Sequence, residues 1–331
     1  MGKIAIYVER STIASSYEMD SLMRFALVAR RMGHWVDFLF RPDMYKIPEY
    51  DAVFIRALTD PLNSAYVASR IAEMHGVMVI DDPSSIRICC DKINMYHRLM
   101  SAGIPVPETA FLNEPELTEE HGKRLFAQLG NPLILKAPNS SFSMYVERAT
   151  TTKEFIKIGK RYFRRADRIV AQRFVPSDFD WRVGVLGNEP LYACQYTIPR
   201  KRWKILTYTS NGRAIQGPVR AVALSDADPR LISCALQAAA AIGNGLYGVD
   251  IKQADNQYFV LEVNDNPTII AGDEDRKASD LYERLVRFLL QERISVHARP
   301  CYSSSIGSGS AFPGTTREAV FSGRSFHARS N

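Results

Sequence analysis

The stretch "GVDIKQADNQYFVLEVNDNP", residues 248–267, decides how the rest of this chain is read. "GVDIKQA" and "QYFVLEVN" are rich in branched and aromatic residues, as strands are. Asp255-Asn256 between them is a turn signal, which makes the pair an antiparallel hairpin. A turn centred near Asn256 sets Asp250 opposite Glu262, and Asn264 lies on the same strand face as Glu262. Two carboxylates and an amide oxygen then share a small volume at the end of an apolar strand. Left alone, such carboxylates repel and take up protons. A hard divalent cation removes the conflict, Mg²⁺ (or Mn²⁺) completing its shell with substrate phosphates and water. A surface hairpin that merely carries acids is the plainer reading, but these strands are too apolar for it.

The wider composition sets limits. The chain has 331 residues, more than one ordinary core holds. Hydrophobic residues make up 46% and charged residues 24%, values of a globular protein. No apolar run approaches the roughly 20 residues of a membrane helix, so no membrane association is expected. "MGKIAIYVERS" reads as a first strand and not as a signal peptide. Five scattered cysteines without metal-ligand spacing fit a reducing, cytoplasmic setting. The formal net charge of +6 is spread out, and the runs "KRYFRR" (160–165) and "PRKRWK" (199–204) come with no nucleic-acid motif. No nucleic-acid partner is expected.

Strand and helix patterns alternate over residues 1–84, with helices ending at Gly33 and Gly76, which predicts a small Rossmann-like parallel sheet. No GxGxxG follows the first strand. Residues 85–170 and 171–294 mix helices with clustered strands in an α+β pattern. Residues 295–331 are rich in serine and glycine, without apolar periodicity, and read as a disordered tail.

Asp-x₁₁-Glu-x-Asn on a hairpin, in the form "GVDIK…LEVNDNP", resembles the magnesium site of the ATP-grasp superfamily. It is most similar to its RimK-type and glutathione-synthetase-like carboxylate–amine ligases. "DDPSSIRICCDK…LMSAGIPVPET" and "DWRVGVLGNEPLYACQY" resemble further stretches of that family, so the likeness runs from residue 1 to about 293. It implies an α/β pre-ATP-grasp domain (1–84), then an α+β ATP-grasp fold of an N-terminal lid subdomain (85–170) and a C-terminal subdomain with the metal site (171–294).

The resemblance also implies roles. Lys92 and Lys136 are the lysines that touch nucleotide phosphates, and Lys136 ends the apolar strand "PLILK", where an ammonium needs an anion. Ser140, Ser141 and Ser143 occupy the place of the loop that closes over the phosphates. Gln172, Arg173, Phe174 and Val175 form the hinge that holds adenine, and Asp180 accepts from the ribose hydroxyls. Arg182, on the same strand face, stabilises the charge of phosphoryl transfer. A plain Asp180–Arg182 surface pair is the alternative for these two residues. Arg200, Arg202 and Lys204 are candidate ligands for substrate carboxylates, with Arg202 and Lys204 sharing a strand face and Trp203 walling the pocket. Arg56 and Asn266 are further substrate candidates.

The implied activity is ATP- and Mg²⁺-dependent joining of a carboxylate to an amine through an acyl phosphate, with no protein nucleophile. The substrates are small-molecule or peptide carboxylates and amines, and a homo-oligomer is compatible with the reading. Addition of an amino acid such as glutamate is one candidate reaction, although the altered "IPRKRWKILTYTSNG" region gives no warrant to assume glutamate. The alternative is a catalytically silent ATP-binding regulator on the same fold.

Overall fold

The computed structural model describes residues 1–139, 144–208 and 214–291. The expected disordered tail at 295–331 lies outside the described residues, as do Ser140, Ser141 and Ser143.

The first sheet runs β2-β1-β3-β4, with β1 (Lys3–Val8), β2 (Trp35–Leu39), β3 (Ala52–Arg56) and β4 (Met78–Ile80) all parallel. Between the strands lie α1 (Arg10–Ala14), α2 (Ser16–Arg31) and α3 (Ser64–Met74). Gly33 and Gly76 follow α2 and α3 with φ of 86° and 66°, the left-handed conformation that ends a helix at little cost to glycine. The parallel unit expected from the sequence is therefore present.

Next come α4 (Pro83–Cys89) and α5 (Lys92–Ser101), capped by the side chains of Asp82 and Asp91. The second sheet is β5-β8-β6-β7, formed by β5 (Thr109–Asn113), β6 (Leu133–Lys136), β7 (Val146–Ala149) and β8 (Arg168–Arg173). Helices α6 (Glu119–Leu129) and α7 (Thr152–Tyr162) pack on one face of it around Leu125, Leu135, Phe155 and Tyr162. Strand β8 passes through residue 170, where the sequence suggested a division, and α5 packs with the sheet that follows.

That third sheet, the base, is antiparallel, in the order β13-β10-β9-β14-β15. Its strands are β9 (Phe179–Leu186), β10 (Glu189–Thr197), β13 (Val219–Val222), β14 (Leu246–Ala254) and β15 (Gln257–Asn264). A small ladder of β11 (Leu206–Tyr208) and β12 (Ala214–Gln216) stands apart. One base face packs on α5 and α8 (Pro229–Ile242) through Tyr96, Val183, Leu231 and Val249. The other packs on α9 (Leu281–Gln291) and the first sheet through Leu186, Tyr192, Leu285 and Ile6. Coverage on both faces explains why β14 is buried from Leu246 to Lys252.

Candidate active site

The hairpin β14–β15 turns at Asp255 and Asn256, with φ of 50° and 59°. Both lie in the left-handed region that a two-residue type I′ turn requires, and Asp and Asn tolerate it well. Such a turn alone would set Asp250 across from Leu261. A bulge intervenes: Ile251 pairs with Val260, and Asp250 pairs with Glu262. The extra residue, Leu261, re-aims the strand so that both carboxylates share a face. Its carbonyl is not left bare, because the Tyr96 hydroxyl donates to it at 2.6 Å.

Three ion pairs follow from this register. Arg182 on β9 lies opposite Asp250 and donates through Nε and Nη2 at 2.7 and 2.8 Å, a bidentate fork. Lys252, two residues along β14, gives its ammonium to Asp180 at 2.5 Å and to Ser177 Oγ at 2.6 Å. Lys92, the first residue of α5, reaches Glu262 at 2.8 Å and is only 3% exposed. It is thus no solvated helix-start lysine. The surface pair Asp180–Arg182 does not form, because each partner is taken by β14. Burial pushes the Glu262 carboxyl up, but the nearby Lys92, Lys136 and Arg182 outweigh it and hold the group below its ordinary value.

All of these paired groups except Arg182 line one wall of a cavity between the second sheet and the base. Lys92, Asp180, Asp250, Lys252, Leu261 and Glu262 face Lys136, Ile134 and Val146. Gln172, Arg173, Phe174 and Val175 close one end, and Trp203, Lys204 and Ile205 line it as well. Lys136 donates to the Tyr96 hydroxyl at 2.6 Å and lies 5.2 Å from the centre of its ring. Burial lowers its pKa to about 8, against the pull of Glu262 and Asp180.

Other candidates sit differently. Asn264 donates Nδ2 to Gly248 O at 3.0 Å and to Asp250 Oδ2 at 3.2 Å, beside the cavity wall. The segment expected as a strand through Arg202 and Lys204 is a turn: Pro199 lacks an N–H, and Lys201 has φ 64°. Arg200 and Arg202 are exposed and do not line the cavity, whereas Lys204 lines it and donates to Val146 O at 2.9 Å. Arg56 and Asn266 are bonded to each other. Arg56 Nη1 donates to Asn266 Oδ1 at 2.6 Å and to Pro267 O at 3.0 Å, and Asn266 Nδ2 returns a bond to Ala57 O at 2.6 Å. They tie the first sheet to the end of the hairpin.

Sequence reasoning passed over Lys252 and Tyr96. Both carried a signal: Lys252 is two residues from Asp250 on one strand, and Tyr96 is one helical turn from Lys92.

A RimK-like ATP-grasp domain model matches residues 89–289, well over half of the chain. The chain belongs to the RimK-like ATP-grasp family. Relatives of this family member include a probable alpha-L-glutamate ligase of Shewanella loihica, 27% identical over 80% of this chain and 82% of the relative. One from Vibrio vulnificus, with the same description, is 26% identical over 90% of this chain and 98% of the relative. A D-alanine–D-alanine ligase from Bacillus anthracis, solved in complex with ATP, superposes with a TM-score of 0.66 at 16% identity, over 89% of this chain and 99% of that one. A RimK domain ATP-grasp protein from Sphaerobacter thermophilus gives 0.61 at 18% identity, over 87% and 99%. These two likenesses show the ATP-grasp fold. Among the described residues, no helix is long and apolar enough to cross a membrane.

Proposed function

We propose that this protein is an ATP- and Mg²⁺-dependent ligase that joins a carboxylate to an amine. The observation that carries this reading is the cavity wall on which Asp250 and Glu262 face each other beside the buried ammonium groups of Lys92 and Lys136. Anions are what buried ammonium groups call for. Asp250, Glu262 and Asn264 lie together at the bulged end of the hairpin and carry the kind of oxygen atoms that a hard cation takes, which supports the metal reading. Mg²⁺ in that position neutralises phosphate charge.

In the reaction, Lys136 and Lys92 bind and orient the phosphate chain of ATP, and the hinge Gln172–Val175 together with Ile134, Trp203 and Ile205 holds the base. Asp180 takes the ribose. A substrate carboxylate oxygen attacks the γ-phosphorus, the bond to the β-phosphate bridging oxygen breaks, and ADP leaves. Arg182 stabilises the charge of that transfer. The amine then attacks the acyl carbon, loses a proton and expels inorganic phosphate, leaving an amide. Positioning and charge neutralisation carry the catalysis. The second sheet (β5–β8) serves as a lid over the base sheet (β9, β10 and β13–β15). The substrates are amino acids or peptides, glutamate among those to be tried first because relatives carry that name.

The test is ADP release by the purified protein with pools of amino acids and peptides, followed by mass spectrometry of the amide. Glu262→Gln is expected to lower turnover by at least about 10³-fold. Binding of ATP with no ADP formation for any pair would refute the ligase and leave a nucleotide-binding regulator.

A further inference from the structure

The acidic stretch "GDED", residues 272–275, does not line the cavity, yet one of its carboxylates is tied to Arg182 through a single intervening side chain. Strands β14 and β10 flank β9, and each sends a side chain to Arg182. From β14, Asp250 takes Nε and Nη2 at 2.7 and 2.8 Å. From β10, Tyr196 places its ring centre 4.8 Å from the guanidinium carbon. The Tyr196 hydroxyl donates to Glu274 Oε1, and Glu274 Oε2 accepts from the Ile270 N–H at 2.7 Å. We propose that Tyr196 and Glu274 are positioning residues that hold the Arg182 guanidinium in place for phosphoryl transfer. This rests on the reading of Arg182 as the group that meets the charge of that transfer.

An arginine stabilises a transferring group only where its donors are held still. A guanidinium has five N–H groups, and two of those on Arg182 go to Asp250. The other three, two on Nη1 and one on Nη2, have no acceptor among the described residues. They are the donors left for anionic oxygens. The Asp250 fork fixes one edge of the guanidinium plane but leaves the plane free to tilt about that edge. The Tyr196 ring, over which the guanidinium lies, opposes the tilt, and the negative face of the ring attracts the cation. The Arg182 side chain is 13% exposed and Tyr196 5%, so little water competes for this contact.

The ring in turn needs its far end tied, and the tie is a carboxylate only 1% exposed. Burial pushes the Glu274 carboxyl up, while the Tyr196 hydroxyl, the Ile270 N–H and Arg182 pull against that. The loop that carries Glu274 is closed on itself. Asp275 Oδ1 accepts from the Gly272 N–H at 2.6 Å, and its Oδ2 from Arg24 at 2.8 Å and Tyr282 at 3.1 Å. A phenol that donates to a carboxylate has a more electron-rich ring, which strengthens its hold on the cation. A tie that only anchored this loop to the sheet would have no need of a ring beneath Arg182.

The experiment is a double-mutant cycle on the full-length protein, read as ADP release with the amino-acid and peptide pools. Tyr196→Leu is expected to lower kcat about 10²-fold, the effect of a misplaced charge, with KM for ATP within about twofold of the parent. Tyr196→Phe keeps the ring and should retain most of the rate, with a loss of about threefold. Glu274→Gln keeps the shape but replaces a charge-assisted bond by a neutral one, and should also lower kcat about threefold. In an Arg182→Met background each substitution should cost less than about twofold more, because the residue through which it acts is gone. Losses that multiply in full in that background would overturn the inference and leave the ligase reading in place, as would a raised KM with unchanged kcat. Should Tyr196→Leu not fold, Tyr196→Phe and Glu274→Gln carry the same cycle. A parent protein that releases no ADP with any pool would overturn the ligase reading, and this role for Tyr196 and Glu274 with it.

Discussion

The base hairpin and the lid sheet hold their charges in opposite ways. On the base, three cations are paired with carboxylates: Arg182 faces Asp250, Lys252 faces Asp180, and Lys92 reaches in to Glu262. On the lid, Lys136 is bonded to a neutral hydroxyl, that of Tyr96, and no carboxylate among the described residues makes an ion pair with it. These three base pairs meet charge with charge inside the chain. The lid carries an ammonium whose desolvation is only partly offset by Glu262 and Asp180, as its pKa of about 8 reflects. One side of the cavity is built for stability and the other for an incoming anion.

If that contrast is right, the same kind of substitution has opposite outcomes on the two sides. Lys252→Met leaves Asp180 buried without its partner, and loss of one member of a buried pair costs about 3–5 kcal/mol. Chemical denaturation with urea is expected to show that loss; a variant as stable as the parent would break the comparison. Lys136→Met, by contrast, is expected to leave the unfolding free energy unchanged or higher, since it removes a desolvated charge. Its cost is in function: kcat/KM for ATP should fall by about 10²–10³. A fall in stability with unchanged kcat/KM would place Lys136 in the same class as Lys252.

How far the site could be read in advance differs for reasons of range. The turn at Asp255-Asn256 follows from local sequence, whereas the pairing of Asp250 with Glu262 depends on a bulge at Leu261 that local pattern does not announce. The alternating parallel unit was legible from helix periodicity and the glycines at 33 and 76. The partners were not. Asp180 and Arg182 were read as a possible pair because they are neighbours on one strand, and the β9–β14 register gives each a partner about 70 residues away. Arg56 ends a strand, and its bond to Asn266, 210 residues on, spans a range that local pattern does not reach. Long-range register decides ownership of a charged side chain, and one sequence carries little of it.

The smallest expected effect sharpens the lid side of the contrast. With its folded pKa near 8 and the ordinary lysine value at 10.5, Lys136 binds its proton more weakly in the fold than in the unfolded chain. Its charge therefore costs stability below pH 8, and that cost is relieved as pH rises from 8 to 10.5. Nucleotide affinity should move the other way, because phosphate needs the ammonium. Above pH 8, the affinity for a non-hydrolysable ATP analogue is expected to fall by up to about tenfold per pH unit. Tyr96→Phe removes the hydroxyl that accepts from Lys136 and donates to the Leu261 carbonyl. The ammonium then loses its acceptor, so the midpoint of the affinity profile should move below pH 8, with a loss of about 1–3 kcal/mol in stability from the orphaned carbonyl. Calorimetric titrations across pH on parent and variant measure both. An unmoved midpoint would mean that the Tyr96 hydroxyl serves the bulge alone, and that burial by itself sets the Lys136 charge.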